Sequence, residues 1–245
     1  GGAQARPEVT RPVALLVGCV VLLGPAGAAW AEAETSSVTR WVGHQITRGQ
    51  RNLPVLGDMK TRSDTWVVAD VVRTPSSIEL VERACRVRVV ESPGAHISMP
   101  DAAVRQLPPV RTRYERRPGG GWQAGPWRAG WDAQDHDHDG HPGLTVTVEA
   151  PLCGGQLYVA SDVLSLARAE LQGGGLVGEL KVKLGQKILG AEGKCLSVLA
   201  ADSQEKLWGT FAYVPVARDA TCESLAREGW LDRTLAPLTE RPPRP

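Results

Sequence analysis

The stretch DAQDHDHDGHPG, Asp132 to Gly143, holds four Asp, three His and two Gly. Within it Asp135, Asp137 and Asp139 alternate, and Gly140 follows. Carboxylates at alternate positions of a tight loop turn towards one centre, and a glycine permits the sharp bend after them. That is the arrangement a hard cation needs, and Ca²⁺ takes six to eight oxygen ligands. The main-chain carbonyl of His141 would add one more. An EF-hand would place a bidentate Glu at the twelfth position, counted from Asp135, but Val146 stands there. Asp132, Glu149 or water would have to supply the missing ligand. Such a site is expected to be weak, with Kd roughly 10⁻⁴–10⁻³ M, as in extracellular modules.

The histidines offer different chemistry. His136, His138 and His141 are three of the chain's five, and imidazole prefers Zn²⁺ or another transition metal to Ca²⁺. If the three Asp turn inward, however, His136 and His138 point outward. The same composition also suits a metal-free turn, since Asp and Gly are common in turns.

No other set of residues completes a catalytic motif. The chain has no G-x-S-x-G, H-E-x-x-H, C-x-x-C or phosphate loop. His44 and His96 are isolated and read as surface or hydrogen-bonded structural residues. Asp162 and Glu170 read as a solvated strand face. Trp122, Trp127 and Trp131 recur at spacings of five and four. Tryptophans so placed either pack in a core or line a carbohydrate or hydrophobic pocket.

The elements that must position these residues are strands. LTVTVEA sets Leu144, Val146 and Val148 against Thr145, Thr147 and Glu149. LVGELKVKL sets Leu180, Val182 and Leu184 against Glu179, Lys181 and Lys183. ACRVRV sets Cys85, Val87 and Val89 against Arg86 and Arg88. A period of two marks a half-buried strand. VTRWVGHQIT, TWVVADVVR, QLYVASDVLSL and LWGTFAYVPV are further strand candidates. Turn clusters such as RTPSS, RRPGGG and QGGG divide the runs, and RTRYERRPGGGW reads as an exposed hairpin turn. Two short helices are expected. One lies in SMPDAAVRQL, with Ser98 as N-cap, and one in TCESLAREG, from the cap Thr221 to a stop at Gly229. Eight or more consecutive strands predict an all-β chain, an antiparallel up-and-down β-barrel of lipocalin-like kind, with a β-sandwich as the alternative.

The ends of the chain carry their own signals. Arg6 and Arg11 precede an apolar run from Val13 to Leu23, too short to span a bilayer core of about 30 Å. GPAG and the A-x-A triplet Ala29, Trp30, Ala31 follow, which predicts a signal peptide over 1–31. LVGC, ending at Cys19, also fits a lipidation box and offers the one route to a membrane. Removing residues 1–31 takes away two Arg and one Glu, leaving 26 basic and 26 acidic residues. A neutral exported chain does not favour nucleic acid. A single domain is expected over 32–232, and a disordered Pro-rich tail over 233–245. Four cysteines remain, Cys85, Cys153, Cys195 and Cys222. In an exported chain they predict two disulfides, with three connectivities open.

DHDHDGHPGLTV, with LYV in the next strand, resembles a stretch in a group of uncharacterised exported proteins from myxobacteria-type bacteria. ERACRVRV (Glu82–Val89), MPDAAVRQLP (Met99–Pro108) and ATCESL (Ala220–Leu225) are similar as well. The resemblance covers most of the mature chain, and the acidic loop is its one specific motif. It implies an all-β exported domain with a calcium-type loop and a Cys85–Cys222 pair, which leaves Cys153 and Cys195 to each other. The group has no established activity. It usually has small residues where this loop has His, which keeps a transition metal in view.

The expected protein is therefore periplasmic or secreted and non-enzymatic, stiffened by Ca²⁺ and disulfides, with room for a small apolar ligand. A metal-dependent hydrolase using the Asp/His loop, and a calcium-stiffened envelope or adhesion module, are the alternatives.

Overall fold

A computed structural model of the protein describes residues 38–53, 57–92, 95–150, 153–193 and 195–237. The expected signal peptide, Cys19, the side chain of Cys153 and residues 238–245 lie outside the described residues. In chain order the elements are β1 (Thr39–Leu53), β2 (Gly57–Arg73), β3 (Ser77–Ser92), β4 (Ala95–Ser98), α1 (Asp101–Val104), β5 (Val110–Arg116) and β6 (Trp122–Trp131). There follow β7 (Leu144–Ala150), β8 (Cys153–Gln172), β9 (Gly175–Glu192), α2 (Leu196–Leu199), β10 (Ser203–Pro215), α3 (Cys222–Arg227) and a 3₁₀ turn (Trp230–Asp232). The alternating sequence runs are all strands. Most extend beyond the run that marks them, while LTVTVEA and β7 coincide.

The strands form one antiparallel sheet that meets itself. The path β1–β2–β3 continues on one side and β8–β9–β10 on the other, and β10 pairs with β1. Between β3 and β8 the wall is split. β3 pairs first with β5, through Ser77–Glu82, and then with β4, through Arg88–Glu91. β8 pairs with β7 through Cys153–Val159 and with β6 through Ser161–Ala169. β4 and β5 thus lie end to end along β3, with residues 99–109 between them, and β6 and β7 lie end to end along β8. Among the described residues the result is an eight-stranded up-and-down ring in which two strands are interrupted, not a regular barrel. The acidic loop is one of the two interruptions.

Local chemistry explains the tight corners. β8 and β9 are joined by Gly173 and Gly174, at φ 58° and 82°, with Gln172 opposite Gly175. A two-residue hairpin with two positive φ values calls for glycines. At the β2–β3 corner Thr74 Oγ1 accepts hydrogen bonds from the amides of Ser76 and Ser77.

One face of the ring builds the core. Trp41, Val67, Ala69, Ile78, Leu80, Tyr114, Trp122, Leu176, Phe211 and Tyr213 fill the end that β5 and β6 close. Trp127, Val163 and Leu184 pack against them. An ionisable group sits among these side chains. Glu82 is buried, and its Oε2 accepts from Tyr213 Oη at 2.7 Å and from Gln45 Nε2 at 3.1 Å. Burial pushes the Glu82 carboxyl up, against these hydrogen bonds, which favour the anion.

A second cluster lies on the other face, where the C-terminal segment covers β1 to β3. Val42, Trp66 and Val68 meet Ala220, Leu225 and Leu231. The Cys85–Cys222 disulfide fastens the segment there, as the resemblance implied. Cys195 is disulfide-bonded as well. Cys85 sits in a β-bulge: Trp66 pairs with Arg86, Val67 with Ala84, and Cys85 has no opposite residue. The extra residue breaks the expected alternation, and Cys85 joins the outer cluster with Trp66 instead of following Val87 and Val89.

His44 is fully buried under this segment. Its Nδ1 accepts from the amides of Leu235 and Ala236, at 3.1 and 3.3 Å. The proton is therefore on Nε2, which donates to Asp64 Oδ1 at 3.2 Å. The ring stacks on Trp66 at 4.6 Å. Burial raises the Asp64 carboxyl, but hydrogen bonds from His44 and Arg62 outweigh it and bring the group down to about 2. Residues 233–237, expected as part of a disordered tail, are thus packed, because His44 and Trp66 satisfy their backbone. The helix expectations also need one correction. α3 has the Thr221 capping box and stops at a left-handed Gly229, but α1 is one turn, N-capped by Pro100 without a side-chain hydrogen bond, and Ser98 ends β4.

Two outcomes are expected. The Cys85→Ser/Cys222→Ser variant frees a crosslink that spans 137 residues, and urea denaturation should show a loss of about 2–5 kcal/mol. Glu82→Gln keeps an acceptor for Tyr213 and removes the ionisable group. Because the folded pKa of Glu82 is raised, the wild type should lose stability relative to Glu82→Gln as pH rises through about 4.3, where the unfolded carboxyl is half ionised. Melting temperatures across pH 3–8 for the two proteins check this.

Candidate metal centre

The acidic loop leaves and rejoins the wall almost at one point. Trp131, the last residue of β6, is opposite Ser161, and Leu144, the first of β7, is opposite Val159. The base is closed by two main-chain bonds, His136 N to Gly143 O and Gly143 N to Gln134 O, both 3.0 Å. Gly143 has φ 82°, and a Cβ there would lie 2.5 Å from the Val159 carbonyl oxygen. Only glycine lets the loop pass this close to β8.

Inside the loop the carboxylates order the backbone. Asp135 accepts from the amides of Asp139 and Gly140, at 3.2 and 2.9 Å. Asp139 accepts from the amide of His141 at 2.9 Å and from the Thr145 hydroxyl. Asp137 Oδ2 accepts from the amide of Thr145 at 3.0 Å. Thr145 therefore ties two of the three carboxylates to the start of β7. The turn brings the backbone of His138 to φ 58° and of Gly140 to φ 89°.

Asp135, Asp137 and Asp139 each bring one oxygen within 4.8 Å of the others, so the cluster could hold a metal ion. No histidine belongs to it. Asp137 Oδ1 is buried and has no hydrogen-bond partner among the described residues. A buried carboxylate oxygen without a donor is costly, and a cation would satisfy it. Partial desolvation opposes ionisation of Asp135, yet the Gly140 and Asp139 amides hold its carboxyl below the ordinary value.

The other expected ligands are placed elsewhere. Asp132 accepts from the amide of Gln134 and from His136 Nε2, both at 2.9 Å. The Gln134 amide and His136 hold its carboxyl below the ordinary value. Glu149 stands five residues along β7, opposite His96 and Gly154. The imidazole of His141 stacks on Tyr158 at 4.1 Å, and its Nε2 lies 3.3 Å from the Tyr158 hydroxyl. That hydroxyl donates to Glu192 at 2.5 Å. Burial and then Glu192 push the Tyr158 phenol up to about 12.

An open cleft of about 1200 Å³ lies beside the loop, and Trp131, Asp132 and His136 form part of its wall. The three clustered Asp do not line it, nor do His44 and His96. Trp122 and Trp127, by contrast, belong to the core. No local sequence pattern marks Thr145, Tyr158 or Glu192. Thr145 looked like an outward polar residue of a strand, and the Tyr158–Glu192 contact follows from a register between β8 and β9 that no local signal encodes.

No protein-family model matches the chain, and no curated protein matches it. Among the described residues no helix is long and apolar enough to cross a membrane. The Cys85–Cys222 disulfide fits an extracellular or periplasmic protein.

Gly143→Ala tests the closure of the loop. It should destabilise the protein by about 1–3 kcal/mol, read by urea denaturation, and should speed protease cleavage between Asp132 and Gly143.

Proposed function

We propose that this is an exported, non-enzymatic β-protein whose 132–143 loop binds Ca²⁺, and that the ion braces the wall where β6 gives way to β7. The observation that carries this reading is the orphaned, buried Asp137 Oδ1 within a trio of carboxylates. All three side-chain donors are hard oxygens, which favours Ca²⁺ over Zn²⁺. His136 is engaged with Asp132, and His141 with Tyr158, so a histidine site has less in its favour. Val146 stands in a buried position of β7. The remaining ligands would then be main-chain oxygens and water.

The expected signal peptide, the disulfide and the resemblance to exported proteins of myxobacteria-type bacteria support export. The separation of the carboxylate trio from the cleft supports a brace over a hydrolytic centre, which would need an open coordination position facing a substrate. An apolar ligand gains no support from a ring end filled by Trp41, Phe211 and Tyr213.

Calcium in excess over Kd by about ten- to a hundredfold should stabilise the fold by about 1.4–2.7 kcal/mol. In a domain of this size that is a rise in melting temperature of roughly 3–10 °C. Asp137→Asn and Asp139→Asn keep hydrogen-bond acceptors and should abolish the rise. A melting temperature indifferent to both calcium and chelator would falsify the reading, and a response to Zn²⁺ alone would reassign the metal.

A further inference from the structure

The two interruptions of the wall face one another, and the cleft opens between them. Pro108 and Pro109, before β5, form one side, and Asp132 and His136 of the acidic loop form another. Its floor crosses β8, β9 and β10 at one level, because Ser161 pairs with Gln186 and Gln186 with Ser203.

We propose that this cleft binds a neutral, polyhydroxylated ligand, an oligosaccharide, with Trp131 as its stacking platform and Ser161, Gln186 and Gln204 as hydrogen-bonding partners. The proposal does not rest on the metal. Four observations carry it.

First, Trp131 is half-buried on the cleft wall, and its indole Nε1 donates to Val159 O at 2.6 Å. A ring held in one orientation on a wall of mixed polarity suits the apolar face of a sugar. Second, Ser161 is only 7% exposed, and its hydroxyl is buried without a partner. It lines the cleft, and a turn of its side chain towards the opening would let a ligand hydroxyl complete its hydrogen bonding. Third, the polar groups offer both donors and acceptors. Gln186 is held by the Ser203 hydroxyl, which donates to its Oε1 at 3.3 Å, and Gln204, opposite Gly185 on β10, also lines the cleft. Fourth, the charges balance. Arg111, Arg128 and Lys187 are matched by Asp132, Asp162 and Asp202. Arg128 and Asp162 are paired at 3.0 Å, and Asp202 accepts from the Ile188 amide. A wall without net charge attracts neither an anionic nor a cationic ligand. The volume, about 1200 Å³, exceeds the roughly 300–1,000 Å³ of ordinary small-molecule pockets. It is therefore large enough for a ligand of more than one sugar unit.

The test is calorimetric titration of the purified protein with cellohexaose, maltohexaose, mannohexaose and chitohexaose, with polygalacturonate and fully deacetylated chitosan as charged controls. At least one neutral hexamer should bind, with little dependence on salt. Trp131→Ala should weaken it by about tenfold or more. Gln186→Ala and Gln204→Ala should weaken it while melting like the wild type, so a Trp131→Ala variant that fails to fold leaves the test intact. Calcium chelation separates the readings: binding that survives it, beside a lost thermal response, leaves the cleft proposal standing without the metal. The proposal fails if no neutral hexamer binds. It fails also if binding is unchanged in all three variants, or if a charged polymer binds in preference and is displaced by salt.

Discussion

One edge of β8 carries two strands in succession, and the middle of the molecule is arranged around that sharing. Ser161 holds the end of β6, and Val159 holds the start of β7. Two residues of a strand advance about 7 Å. Twelve residues must therefore leave the wall and return within that span, without unpaired backbone amides and without a side chain at Gly143. Carboxylates answer the first requirement, because each accepts amides that no strand can satisfy. Collecting three of them in one turn creates a second problem, mutual repulsion, which a cation relieves. The acidic character of the loop thus follows from the topology as much as from a ligand.

The opposite side of the ring handles buried polarity differently. Both ring nitrogens of His44 are engaged, one by amides of the C-terminal segment and one by Asp64. The arrangement resembles the orienting half of a catalytic pair, but the segment it holds covers it. It joins β1 and β2 to residues 233–237, next to the point where Cys222 is tied to the Cys85 bulge. Histidine, tryptophan and disulfide together close a small apolar layer outside the ring.

Much of this was legible beforehand, and the gaps have physical reasons. Alternation in LTVTVEA marked β7 to the residue, because one face is buried and the other is not. The spacing of Asp135, Asp137 and Asp139 marked the cluster, because a tight loop turns alternate side chains one way. What the sequence hid was non-local. The end-to-end placement of β4 with β5 and of β6 with β7 depends on partners far along the chain. The bulge at Cys85 leaves no trace in a strand whose polar and apolar residues still alternate around it. Residues 233–237 have a tail's composition, and only the amides they present to His44 make them part of the fold. α2 carries four residues and no side-chain cap, too little for a helical period to register.

The closure of the ring by β1 and β10 sets an order on the chain's history. The first strand finds one of its two neighbours at once, in β2, and the other only when the last strand exists. A chain made from its amino end leaves the outer edge of β1, with its row of unpaired amides and carbonyls, open through the synthesis of everything between. Until then that edge is a template for any other strand it meets. Of the residues that later pair with β10, Trp41 to Arg48, the one Lys, Arg or Pro is Arg48 at the far end, so the nascent protein has reason to be kept from its own copies until β10 arrives.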